Sequence, residues 1–379
     1  MRVLACLVGL LLLPLALAAL ILGSPSSLSP SGWLTALSLL GLSAGMLSAP
    51  LRKARRRGLT RASALLLLAV FLVRTGTARQ GKTVRIVAGD DPHGRLIDRL
   101  IEERDLALPA ARALAWTRLF PPSETSGLES SMRRRYDLLG QEEGSVPSPV
   151  LGTYLGVGHG EDFDMLVIED LATRGSDTTV VFLHGYAGSF TLPCYEVARA
   201  ARRAGASTVC PSTRWQGDFW SPDGERRVRE VATRLRGAGK SRLVLAGLSN
   251  GGIGASRLLP RMPGLFEGAI LISGADAGAP PPGIPALVIH GERDTMTSAS
   301  AARAYASHSR GQYVSLKGNH FAWLEEADRI ESIVAAFLAR LWPPPSGSAS
   351  RALLTRGAIP RRGITAPPGG TSATAPTRR

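Results

Sequence analysis

Cysteine is nearly absent. Three in 379 residues cannot build a disulfide framework or a four-thiolate zinc site, so stability must come from a hydrophobic core or from lipid. Charge is sparse too, at 20% of residues against 44% hydrophobic, which excludes a disordered polyelectrolyte. Acid is missing altogether from residues 1–81, which hold eight Arg and one Lys, and from residues 344–379, which hold six Arg. Those two ends account for the whole formal net charge of +15. Residues 82–343 are neutral, a poor footprint for the phosphate backbone, and no nucleic-acid partner is expected. Only four of the 45 cations are Lys, but that scarcity runs along the whole chain and marks no site.

What the sequence has instead, at its start, is apolar runs: residues 3–22, 33–51 and 62–73. The first two are about 30 Å long as helices and match a hydrocarbon core. The third reaches only roughly 18 Å, unless it recruits Leu59, Thr60 and residues 75–78, with Arg61 and Arg74 snorkelling to the two interfaces. A cleaved signal peptide is the rival reading of the first run, because Arg2 precedes an Ala-rich apolar stretch. That run is longer than a usual signal core, however, and further apolar runs follow. Between the second and third lies Arg52-Lys53-Ala54-Arg55-Arg56-Arg57, whereas residues 23–32 carry no charge. The basic loop is therefore assigned to the cytoplasm. Three spans are expected, giving a multi-pass protein of the inner or plasma membrane with everything beyond residue 79 outside. A surface-lying third segment would leave that part cytoplasmic.

The division expected along the chain is a transmembrane region over 1–78, a connector over 79–150, a folded domain over 151–342 and a disordered basic tail over 343–379. In the connector the one helical signal is Leu96, Ile97, Leu100 and Ile101 on a shared face. It either covers an edge of the folded domain or lies on the bilayer. Beyond residue 150, short runs rich in Val, Ile and Leu at 165–169, 179–183, 207–210, 243–246, 269–273, 286–290 and 313–316 alternate with helix-length stretches. That pattern predicts an α/β fold, a mainly parallel sheet flanked by helices, with functional groups on loops at the carboxyl ends of the strands.

The pattern G-x-S-x-G occurs twice and so supplies its own control. Gly41-Leu42-Ser43-Ala44-Gly45 sits inside an apolar run, where small residues serve helix packing. Gly247-Leu248-Ser249-Asn250-Gly251 instead follows a strand and precedes a helix, the order a nucleophile elbow requires. Val180–Leu183 upstream runs into His184-Gly185-Tyr186-Ala187-Gly188-Ser189, a turn whose backbone supplies a second donor. The N–H groups of Tyr186 and Asn250 are assigned to an oxyanion hole. Asp294 follows one strand and His320 the last, completing the order Ser, Asp, His. Glu292 is the competing acid.

Residues from about 150 to 341 resemble the α/β-hydrolase superfamily, particularly its esterase and dienelactone-hydrolase-like branches. The matching stretches are HGYAGS from His184, GLSNGG from Gly247, HGERD from His290 and GNH from Gly318. The resemblance implies the α/β-hydrolase fold and a serine nucleophile, with the acid at Asp294, and gives His184 and His290 structural roles. It says little about substrate, because the superfamily includes esterases, lipases, thioesterases, peptidases and acyltransferases. The expected activity is a membrane-anchored serine hydrolase acting on a small-molecule or lipid-derived acyl substrate, without metal or cofactor. A catalytically silent scaffold and an acyltransferase are the alternatives. His93, His159 and His308 read as ordinary loop or surface residues. Only a short Ala/Pro/Gly connection, residues 274–285, separates two late strands, so there is no inserted cap there. Trp215 and Trp220, on the loop 211–224, either line an acyl or aryl pocket or pack their loop onto its own domain. Cys194 and Cys210 should lie at the same sheet edge, as a disulfide or as two buried thiols.

Overall fold

The computed structural model describes residues 2–23, 27–48, 53–78, 80–89, 91, 94–157 and 162–342. The expectations for Arg52, His93, His159 and the tail over 343–379 lie outside them.

One sheet organises residues beyond 80. Its strands are β1 (Val84–Ala88), β2 (Asp164–Ile168), β3 (Thr178–Leu183), β4 (Ser207–Pro211), β5 (Arg242–Leu248), β6 (Gly268–Ile272), β7 (Ala286–Gly291) and β8 (Gln312–Leu316). Their spatial order is β1-β2-β4-β3-β5-β6-β7-β8. β2 runs antiparallel to both neighbours, and β3 to β8 are parallel. The central strands are buried on both faces, which is why β3 and β5 read as unbroken apolar runs rather than alternating ones. Register sets Leu183 beside Gly247, Leu248 beside Ile272 and Gly291 beside Leu316. The loops after β3, β5, β7 and β8 therefore emerge along one rim.

Helices close both faces. In Pro222–Gly237, Val228, Val231 and Ala232 share the buried face, and full burial of a Val contributes about 1.5–3 kcal/mol. Ser221 caps that helix by accepting from the Gly224 N–H at 3.2 Å, with Pro222 in its first turn.

The sheet begins earlier than the sequence suggested. Val84, Ile86 and Ala88 are buried and alternate with half-buried Arg85 and Val87; five residues of period two are too short to stand out unaided. Leu96 to Ile101 do not share one helix. Leu96–Arg99 is a 3₁₀ turn, and separate helices follow at Glu103–Thr117 and Leu128–Glu143.

Three N-terminal helices, Arg2–Leu22, Pro30–Leu47 and Lys53–Thr77, pack in sequence. Gly41 and Gly45 face the third helix so closely that an added Cβ would lie 2.2 Å from Ser63 Oγ and 2.4 Å from Thr60 Oγ1. The first G-x-S-x-G is thus a packing surface. The three-span expectation needs correction. Among the described residues only Arg57–Thr77, 21 residues, is long and apolar enough to cross a membrane; the run Cys6–Leu22 is shorter. Pro30–Leu47 is interrupted by Ser, Thr and Gly, whereas the third helix extends well past both ends of its apolar core. A multi-pass arrangement is therefore not supported. Arg74 does not snorkel: it is buried and paired with Glu102 at 3.0 Å.

Candidate active site

Ser249 stands between β5 and the helix Asn250–Leu258 with φ 53° and ψ −119°. A non-glycine residue there stores on the order of 1–3 kcal/mol of backbone strain. The turn survives because its flanks are tied: the Ser249 N–H donates to Ile272 O at 2.8 Å, and the Ile253 N–H donates to Ser249 O at 3.0 Å. Glycine is required on both sides. A Cβ on Gly247 would sit 2.2 Å from Gly251 O, and one on Gly251 would sit 2.0 Å from Leu183 O.

The three residues singled out in sequence meet. His320 Nε2 lies 3.1 Å from Ser249 Oγ, and His320 Nδ1 lies 2.8 Å from Asp294 Oδ2. Asp294 is buried with its other oxygen accepting from the Met296 and Thr297 N–H groups at 2.8 and 2.9 Å. Burial pushes its carboxyl up; the hydrogen bond and charge of His320 and the Thr297 donors outweigh that, and the group sits below the usual carboxylate range. Glu292, the competing acid, accepts instead from Ser315 Oγ at 2.8 Å on the surface. Thr297 Oγ1 lies 2.8 Å from both Asp294 Oδ2 and Ser273 O. It was missed in sequence, although its position three residues after the acid is a recognisable turn spacing.

The loop after β3 lies directly against the serine. A Cβ on Gly185 would be 3.1 Å from Ser249 Cβ. His184, buried at the loop's start, lies 2.8 Å from Gly185 O through Nδ1, and its Nε2 accepts from the Thr213 N–H at 3.1 Å. These partners set the neutral Nδ1–H tautomer. His290 has a comparable structural setting, with Nε2 at 3.3 Å from Thr297 O and from Asp294 Oδ2. His308 Nε2 lies 3.0 Å from Ala279 O.

The two tryptophans part company. Trp215 meets Tyr186 edge to face at 4.9 Å, and both are exposed at the rim. Trp220 packs near Gly254 with the Arg257 guanidinium stacked over it at 5.0 Å, so it holds its loop to the domain. Asn250 also holds that loop, its Nδ2 donating to Gln216 O at 2.9 Å. Tyr154, outside the sequence reading, donates from its hydroxyl to Ala187 O at 2.8 Å and steadies the loop after β3.

Further from the rim, Cys194 and Cys210 are disulfide-bonded, joining the helix Thr191–Arg203 to β4. Among the described residues no cluster of His, Cys, Asp or Glu is arranged to hold a metal ion.

No family model and no curated protein sequence matches this chain. Solved structures do. Est1E from Butyrivibrio proteoclasticus is 13% identical with TM-score 0.40, covering 47% of this chain and 95% of its own. A predicted CIB-like hydrolase from Thermoplasma acidophilum is 18% identical with TM-score 0.38, covering 47% and 93%. The fluorophosphonate-binding serine hydrolase FphF of Staphylococcus aureus is 16% identical with TM-score 0.37, covering 46% and 92%. In the molecule itself, an antiparallel β2, parallel strands from β3 onward and a strained serine between β5 and its helix give this chain the α/β-hydrolase fold.

Proposed function

We propose that this chain is a serine hydrolase that cleaves a carboxylic ester or related acyl compound through an acyl-enzyme. The single observation that carries the reading is the continuous path from Asp294 through His320 to Ser249 Oγ, at 2.8 and 3.1 Å, ending on a hydroxyl at a strained turn. Ser249 Oγ attacks the carbonyl carbon while His320 Nε2 takes its proton. That proton then passes to the leaving alcohol, and the same nitrogen deprotonates the water that releases the acid. Asp294, held ionised by its donors, keeps the Nδ1–H tautomer and balances the imidazolium. The N–H groups of Tyr186 and Asn250 stabilise the tetrahedral oxyanion; one such donor is worth about 3 kcal/mol in the transition state. The exposed Tyr186 and Trp215 rings give the mouth an apolar lip suited to an acyl or aryl group.

The reading extends to location. The N-terminal helices turn Leu10, Leu11, Leu15, Leu65 and Leu72 outward, a surface that water disfavours, and Arg57–Thr77 meets the length for crossing. The chain is then anchored in a membrane, and the Cys194–Cys210 bond favours an oxidising, extracytoplasmic side for the domain.

Labelling with a fluorophosphonate probe, alongside hydrolysis of short p-nitrophenyl esters, tests the chemistry. Wild type should label and turn over, and Ser249→Ala should do neither. Undiminished labelling of the variant would reject Ser249 as nucleophile; an inert wild type would favour a silent scaffold.

A further inference from the structure

The acid and the histidine stand on separate loops, and the distance between those loops decides whether a proton moves. Direct backbone bonds join them only part of the way: the Glu292 N–H donates to Leu316 O at 3.0 Å and the Arg293 N–H to Gly318 O at 2.9 Å. Neither bond reaches the residue after the acid or the histidine itself. Those two positions are joined by a carboxylate from the connector. Glu124 is fully buried on the short helix Pro122–Thr125. Its Oε1 accepts from the Thr295 N–H at 2.6 Å and the Thr295 hydroxyl at 2.7 Å, while its Oε2 accepts from the His320 N–H at 2.8 Å. Asn319 strengthens the junction from the other side, its Nδ2 donating to Ser123 O at 2.7 Å and to Glu124 O at 3.1 Å.

From this clamp we infer that Glu124 is a positioning residue for the proposed reaction: it fixes the His320 loop against the Asp294 loop and thereby sets the imidazole on Ser249. A carboxylate suits the task because it is acceptor-only and has two oxygens, one for each loop. Charge-assisted bonds to amide donors are short and directional, and the His320 peptide plane determines where its ring points. The connector helix Pro122–Thr125 is on this account part of the catalytic apparatus and not a passive spacer. The inference rests on the hydrolase reading for its consequence, but the clamp itself does not.

The decisive comparison is Glu124→Gln against Glu143→Gln in the full chain. Glu143 is another buried connector carboxylate, accepting from the Thr83 and Val84 N–H groups beside β1, at the sheet edge opposite β8. Gln keeps the shape of Glu but turns its amide NH2, a donor, toward one set of donors. Glu124→Gln should lower kcat for a p-nitrophenyl ester roughly 10- to 100-fold, the scale of a misplaced catalytic group, with KM within about twofold. Phosphonate labelling should slow equally, and hydrogen exchange should quicken in peptides covering 291–297 and 318–321. Glu143→Gln should lower the melting temperature without changing kcat or those peptides. If Glu124→Gln is recovered unfolded, Asn319→Ala, which removes the donors to Ser123 and Glu124 together with the acceptor of the Phe321 N–H, should show the same pattern at smaller amplitude. Equal kcat losses in both Gln variants, or unchanged kcat in Glu124→Gln, would overturn the inference. Should wild type prove inert toward probe and ester, the hydrolase reading fails while exchange still decides the clamp: unaltered exchange in Glu124→Gln rejects it.

Discussion

At the scale of single residues, His184 shows how a buried side chain makes the site sensitive to acid. Burial holds its pKa down to about 4, against the opposing pull of its bond to Gly185 and the nearby Asp218 charge. The unfolded chain takes up that proton near 6.5. Between pH 6.5 and 4 the unfolded state therefore binds a proton that the folded state refuses, and stability falls as pH falls, by up to about 3 kcal/mol. Above pH 6.5 this group contributes no pH dependence. Urea unfolding midpoints across pH 4–7.5 should show this slope, and His184→Gln, less stable overall, should flatten it; an unflattened slope would place its origin elsewhere. His184 was given a structural role by the family resemblance of the HGYAGS stretch that follows β3. Its second partner, Thr213, lies 29 residues on and left no trace in the local sequence.

At the scale of elements, the helix Thr191–Arg203 carries the loop after β3 on its leading end and is fastened twice. Its first turn is capped from the connector: Glu103 accepts from the Thr191 and Leu192 N–H groups at 2.6 and 3.0 Å, offsetting the amides that a helix start leaves unpaired. The Cys194–Cys210 bond then pins the same turn to β4. A bridge closing so short a loop contributes about 3 kcal/mol, chiefly by restricting the unfolded chain. The double variant Cys194→Ser, Cys210→Ser should lose that much in urea titration under oxidising conditions and nothing relative to wild type once both are reduced. A variant as stable as oxidised wild type would mean that the bridge adds nothing. Sequence reasoning put both cysteines at one edge of the sheet but left thiols and disulfide open, because strand order does not say which way two Cβ atoms face.

At the scale of the whole chain, the N-terminal helices are tied to the connector by polar contacts. Ser29 donates from its N–H and hydroxyl to Asp105 at 2.6 and 2.7 Å, Arg112 donates to Leu22 O at 2.7 Å, and Arg74 pairs with Glu102. The connector in turn reaches the helix after β3 through Glu103 and the acid and histidine loops through Glu124. The N-terminal helices and the candidate site thus share one intermediary. On the proposed orientation, with the basic stretch over residues 53–57 at the start of the third helix facing the cytoplasm, a reporter active only outside the cytoplasm should give signal when fused just after Arg79. Signal confined to a cytoplasmic reporter would reverse the assigned side.

The meeting of Ser249, Asp294 and His320 was foreshadowed in one dimension because each stands in a local context: a glycine-flanked turn after an apolar strand, or a polar residue just past a strand end. The parallel sheet was readable for the same reason, since burial on both faces leaves continuous runs of Val, Ile and Leu. Other features belonged to the tertiary structure alone. Glu124 lies 171 residues from Thr295 and 196 from His320, and a carboxylate in a polar connector looks like any solvated acid until the fold brings three donors to it. β1, the paired Arg74 and the separate duties of Trp215 and Trp220 were likewise decided by packing, because the direction of a side chain and the partner it meets are set by distant segments that no local periodicity encodes.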